Sequence, residues 1–89
     1  MNTKTIRAAE KRAAAKAIEA AGIRRVSILS DSKIAVEWRA GVDSAEVWAM
    51  DAQDGGRLAN HVLIASGHKT ACQMGGGTLD GTTEVIEVW

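Results

Sequence analysis

Residues 30–50 read SDSKIAVEWRAGVDSAEVWAM, and the parsing of this stretch decides the fold. Over residues 34–39 apolar and polar side chains alternate: Ile34, Val36 and Trp38 on one face, Ala35, Glu37 and Arg39 on the other. That period of two belongs to a half-buried strand. "SDSK" ahead of it reads as a turn and "AGVDS" behind it as another, because Gly, Asp and Ser favour sharp bends. Residues 45–50 alternate again, with Ala45, Val47 and Ala49 opposing Glu46, Trp48 and Met50. Upstream, residues 24–30 carry Val26, Ile28 and Leu29 and form the third strand. Strands joined by such short turns pair antiparallel, so the pattern predicts a meander.

On the N-terminal side, residues 4–21 predict a helix. Ala, Lys, Arg and Glu dominate it, Asn2 or Thr3 can cap its start, and Gly22 stands where a left-handed residue ends a helix. Ile6, Ala9, Ala13, Ala17 and Ala20 share one helical face, with Ala14, Ile18 and Ala21 along its side. Glu10 interrupts that face. Arg7 and Lys11 flank it on one side, Arg12 and Lys16 on the other. A helix that grips nucleic acid gathers its cations on one exposed stripe. Cations astride an alanine face suit a helix pressed onto a sheet, its long basic stems covering the borders of the contact.

On the C-terminal side, "DAQDGG" is a loop. Residues 57–66 read as a helix, with Leu58, Ala59, Val62, Leu63 and Ala65 on one side and Arg57, Asn60 and His61 on the other. Asp54 can cap its start and Gly67 can stop its end. Residues 70–74 predict a short strand, "GGGTLDG" a loop, and residues 83–89 a final β-branched strand. The predicted order is αβββα followed by one or two strands. The class is α+β, an N-terminal helix packed on an antiparallel sheet, in one domain over residues 1–89.

Composition narrows the functions. Apolar residues make up 46% and charged residues 25%, the balance of a folded globular chain. With no Phe and no Tyr, the core rests on seven Ile, seven Val, four Leu and the larger Trp and Met side chains. A core this thin leaves room for stabilisation by a partner or a second copy, so a homodimer is one expectation. A single cysteine, Cys72, cannot form an internal disulfide, and the N-terminus has no signal-peptide pattern; both point to the cytoplasm. No apolar run is long enough to span a bilayer, so no membrane role is expected. Net charge is zero but unevenly spread. Residues 1–33 hold eight Lys/Arg against three Asp/Glu, and residues 34–89 hold three against eight. The simplest account is a basic helix neutralised by an acidic sheet beside it.

The chain lacks the spacings of common catalytic sites. His61, His68 and Cys72 do not make the paired close ligands of a zinc site, and no metal or cofactor is expected. Cys72 has no orienting group to complete a nucleophilic set with a histidine. "QMGGGTLDG" lacks the Lys-Ser/Thr and the following helix of a phosphate loop. The carboxylate pairs Asp51/Asp54 and Glu84/Glu87 lack an apolar pocket that would separate acid from base. The tryptophans say more. Trp38 belongs with Ile34 and Val36 in the core. Trp48 and Trp89 have two outcomes: exposure beside Met and acids in a protein-binding patch, or folding over the thin core.

The αβββα order over residues 4–66 is similar to that of a double-stranded-RNA-binding domain. That family reads RNA with a lysine-rich start to its second helix; Gly55-Gly56-Arg57-Leu58-Ala59 in the matching position holds a single base. In size and general character the chain also resembles small phage and mobile-element products, including anti-CRISPR inhibitors, which occlude a surface on a nuclease or surveillance complex. Both resemblances imply binding, not catalysis. The first expectation is a non-enzymatic phage-type inhibitor that covers a protein or nucleoprotein partner through Glu46, Trp48, Met50, Glu84, Glu87 and Trp89. The alternative is an RNA- or DNA-binding module using Arg7, Lys11, Arg12, Lys16, Arg24 and Arg25.

Overall fold

A computed structural model describes residues 8–67, 74–80 and 82–88 of the chain. Helix α1 (Ala8–Ala21) leads into strands β1 (Ile23–Ser30) and β2 (Lys33–Trp38). Two helices follow, α2 (Ser44–Gln53) and α3 (Arg57–Ser66), and then strands β3 (Met74–Asp80) and β4 (Thr83–Val88). The strands form one antiparallel sheet in the order β1-β2-β4-β3. The class is therefore α+β, as the alternation of residues 34–39 implies. Strand β4 inserts between β2 and β3, and among the described residues β1 is an edge.

One expected strand is a helix. Residues 45–50 lie within α2, so the chain runs αββααββ, and the element order shared with double-stranded-RNA-binding domains does not hold. The physical reason is local. The Asp43 carboxylate accepts from the Glu46 backbone N–H at 3.2 Å, the N-terminal cap of a helix. Behind that cap lie Ala45, Glu46, Ala49, Met50 and Ala52, all good helix formers. The inward set is Ser44, Val47, Trp48 and Asp51, at helical spacing. A second correction concerns "GGGTLDG": its first six residues belong to β3, with a register irregularity between Gly75 and Thr78. The expected strand at residues 70–74 falls mostly outside the described residues, as do the caps at Asn2 and Thr3.

Ile34, Val36 and Trp38 are buried, with Ile86 and Val88 of the neighbouring β4. Ile18 from α1 and Val62 and Leu63 from α3 close over them. The helices thus lie on one face of the sheet. The other face carries Arg25, Ala35, Glu37, Val85 and Glu87, as strand alternation requires.

The alanine face of α1 is not clamped as expected. Ala9, Ala13 and Ala20 are exposed; Ala14 and Ile18 are buried instead. The helix packs chiefly against α3, and less against β1. Ala14 and Ile18 are one turn apart, so the inward stripe is the one running beside the expected face. Gly22 ends α1 at φ 96°, in the left-handed region. A Cβ there would lie 2.7 Å from Val42 Cγ2, so glycine is required by space as well as by backbone. Its carbonyl accepts from Arg39 N–H at 2.7 Å, tying the helix exit to the end of β2.

Helix α3 takes its cap from α2, not from Asp54. Asp54 is instead the C-terminal cap of α2. The buried Asp51 accepts from Leu58 N–H at 2.6 Å through Oδ1 and from Ala59 N–H at 3.0 Å through Oδ2. Gly56, in the left-handed conformation, gives α3 no side chain of its own for the task. Gly67 closes α3 at φ 83° as expected.

Candidate functional site

Two places bring chemistry-bearing side chains together. The first is inside the fold. Glu84 pairs across the sheet with Val36 and so points to the helix-covered face. There its Oε1 accepts two indole N–H groups, from Trp38 at 3.1 Å and from Trp48 at 2.8 Å. The two rings meet edge to face, with centroids 5.5 Å apart and planes at 86°. One carboxylate oxygen therefore joins β2, β4 and α2. A buried indole must find an acceptor, and a charged one binds it strongly. This arrangement uses Glu84 and both ring N–H groups for cohesion.

The second place is at the free edge of the sheet. Strand β1 has β2 as its single strand neighbour among the described residues. Half of its backbone N–H and C=O groups therefore face outward. Ile28 and Leu29 near its end are 56% and 55% exposed, two large apolar side chains adjacent on the edge strand. Alongside runs an open groove of about 490 Å³ between α1 and β1. Its apolar lining comes chiefly from Ile18, Ile23 and Val26, and its charge from Arg24, Arg25 and Arg39 against Glu19.

The arginines are lightly held. Arg24 Nη1 lies 3.6 Å and Arg25 Nη2 3.5 Å from the two carboxylate oxygens of Glu37. Arg39 Nη2 lies 4.0 Å from Glu19 Oε2. All three guanidinium groups are more than half exposed, so each pair is worth about 0–1 kcal/mol and yields readily to a competing anion. Among the described residues, Lys11, Arg12 and Lys16 enter no ion pair with the sheet. Among the described residues the expected neutralisation of the α1 cations by an acidic sheet is not found; the ion pairs run from Glu37 to the arginines of β1 and from Glu19 to Arg39.

The residues expected to bind a partner do not share one surface. Glu46 and Met50 lie one turn apart on α2, both exposed. Glu87 is exposed on the opposite, helix-free face of the sheet. Trp48 and Glu84 face each other in the interior cluster. Trp89 and Arg7 lie outside the described residues, as do His68 and Cys72. Of the cations named for nucleic acid, Lys11, Arg12 and Lys16 are exposed on α1, and Arg24 and Arg25 line the groove. The sequence reading missed Ile28, Leu29 and Arg39. The apolar run beside "RR" was visible, but nothing local says that its strand ends up at the edge.

Among the described residues, no three His, Cys, Asp or Glu side chains converge to hold a metal ion, and no helix is long and apolar enough to cross a membrane. Comparison with protein-family models, curated proteins and solved structures finds no match.

Proposed function

We propose that this chain is a non-enzymatic binding protein that acts by covering a surface of a protein partner. The observation that carries the reading is the open edge of β1, where Ile28 and Leu29 expose apolar area beside unpaired backbone. Large apolar side chains grouped on an edge strand expose a folded protein to unwanted pairing unless something covers them. In size and character the chain is similar to anti-CRISPR inhibitors, and a cytoplasmic nucleoprotein nuclease is one kind of partner that such occlusion would disable. The interior Glu84 cluster supports the reading indirectly: it commits Trp48 to the fold and leaves recognition to the rim.

The test is affinity capture from the native host with three baits: the native chain, Ile28→Asp and Met50→Asp. The native chain and Met50→Asp are expected to hold the same partner in stoichiometric amount, and Ile28→Asp to lose it. Loss with Met50→Asp alone would move the binding surface to α2 and its neighbour Glu46. A second reading, nucleic-acid binding, is favoured by the exposed Lys11, Arg12 and Lys16, which enter no ion pair among the described residues. It predicts gel shifts that fade steeply with salt and with charge reversal at Arg24 and Arg25. Glu19 and Glu37 among the arginines weaken it, since both repel phosphate.

A further inference from the structure

The geometry points to the kind of segment that binds at this edge: an extended peptide that alternates apolar and acidic residues and adds to the sheet as a fifth strand beside β1. This rests on the proposed function and names the ligand chemistry of the same edge.

Three observations combine. First, β1 has one side unpaired by any strand among the described residues; its eight residues are regular from Arg25 to Ile28, with a register irregularity on either side, and this central stretch can template a short added strand. Second, its two faces differ. Val26 and Ile28 sit opposite Val36 and Ile34, so both face the helix layer, and Val26 lines the groove. Arg25 sits opposite Glu37 on the other face of the strand and borders the groove from there. Side chains of an added strand alternate in the same manner. Those on the helix side would meet Val26, Ile28 and the apolar lining of Ile18 and Ile23. Those on the far side would meet Arg25. Third, the groove itself carries three arginines against one acid, Glu19. Their present partners, the partly buried Glu37 and the exposed Glu19, are 3.5–4.0 Å away, and the arginines themselves are exposed, so an incoming carboxylate can compete for them.

Other occupants fit less well. Residues 1–7 and 68–73 of this chain carry Lys4, Arg7 and Lys69 and no acid, so they do not complement the groove. A second copy joined edge to edge through β1 would bring the arginines and the Lys11, Arg12 and Lys16 of two α1 helices toward each other. A nucleic acid would have no use for the outward-facing backbone or for the apolar lining.

The test uses fluorescein-labelled octapeptides in anisotropy titrations with the full chain. One alternates glutamate with valine, one alternates lysine with valine, and one carries the glutamate pattern with two central prolines. A labelled 20-nucleotide single strand and a 20-base-pair duplex are run beside them. The glutamate peptide is expected to bind, the lysine and proline peptides at least tenfold more weakly, and Arg25→Glu to weaken the glutamate peptide at least tenfold. Met50→Asp is expected to bind as the native chain does. Circular dichroism of Arg25→Glu checks that the fold is intact, and Arg25→Gln, with a smaller loss, separates charge from folding. Equal binding of acidic and basic peptides, tighter binding of either DNA, or self-association that excludes the peptide would overturn the inference. The captured partner separates the two levels of the claim. If Ile28→Asp releases it while Arg25→Glu retains it, the edge is the binding surface but its ligand is not acidic. If neither variant releases it, the edge reading falls with the proposed function.

Discussion

Replacing Glu84 with alanine removes the one acceptor shared by two indoles, and the cost can be worked out group by group. Trp38 is 2% exposed, so its N–H loses its partner where water has little access. A buried donor left unsatisfied costs about 1–3 kcal/mol. Trp48 is half-buried and can hydrate its N–H, so its loss is about 1 kcal/mol. Together the substitution costs about 2–4 kcal/mol. A chain of 89 residues has roughly 4–13 kcal/mol of total stability, so the effect is a large fraction of the whole. With a urea slope of about 1 kcal/mol per molar, the unfolding midpoint drops by about 2–4 M. Glu84→Gln keeps an acceptor oxygen but not its charge, and costs about 1 kcal/mol. The assay is urea unfolding followed by far-ultraviolet circular dichroism and by tryptophan fluorescence. A double-mutant cycle with Trp48→Phe adds the coupling, about 1 kcal/mol between the two sites. If alanine and glutamine both left the stability within about 0.5 kcal/mol of native, the carboxylate would not be holding the rings.

Asp51→Asn replaces one acceptor facing the start of α3 with an amide donor; calorimetry should show a loss of about 1–2 kcal/mol, close to that of Asp51→Ala. Gly22→Ala combines a strained left-handed backbone with a contact to Val42 that cannot be accommodated without movement, and should cost at least about 2 kcal/mol in denaturant unfolding. Glu37→Gln breaks two exposed pairs and should change stability by less than about 1 kcal/mol, while tightening the glutamate–valine peptide in anisotropy titrations because Arg24 and Arg25 are released.

The strand at residues 33–38 was legible because every inward position is large and apolar and every outward one is not. The helix at residues 57–66 was legible for the same reason at a different period, and Gly22 and Gly67 mark real helix ends. Residues 45–50 misled because Ala45, Val47 and Ala49 alternate with Glu46, Trp48 and Met50, while Val47, Trp48 and Asp51 also fall at helical spacing. The deciding signal lay just outside the alternating window, in Asp43, whose carboxylate caps the Glu46 N–H three residues on. The candidate site was harder to see. Arg24 and Arg25 stand out in any reading, but edge position depends on where β4 inserts, and that pairing spans some fifty residues of chain. Glu84 was visible as an acid on a strand. Its role depends on two tryptophans brought to it from β2 and α2, a convergence that no local spacing encodes.

The placement of β4 also constrains when the protein can take shape. Residues 83–88 fill an interior position of the sheet, against β2, which was synthesised some fifty residues earlier. Until those residues have left the ribosome, the β1–β2 hairpin has no second neighbour, and Trp38 and Trp48 have no carboxylate to share. Assembly of the sheet therefore waits on residues 83–88, and a nascent chain stalled before residue 83 should remain sensitive to protease however long it waits.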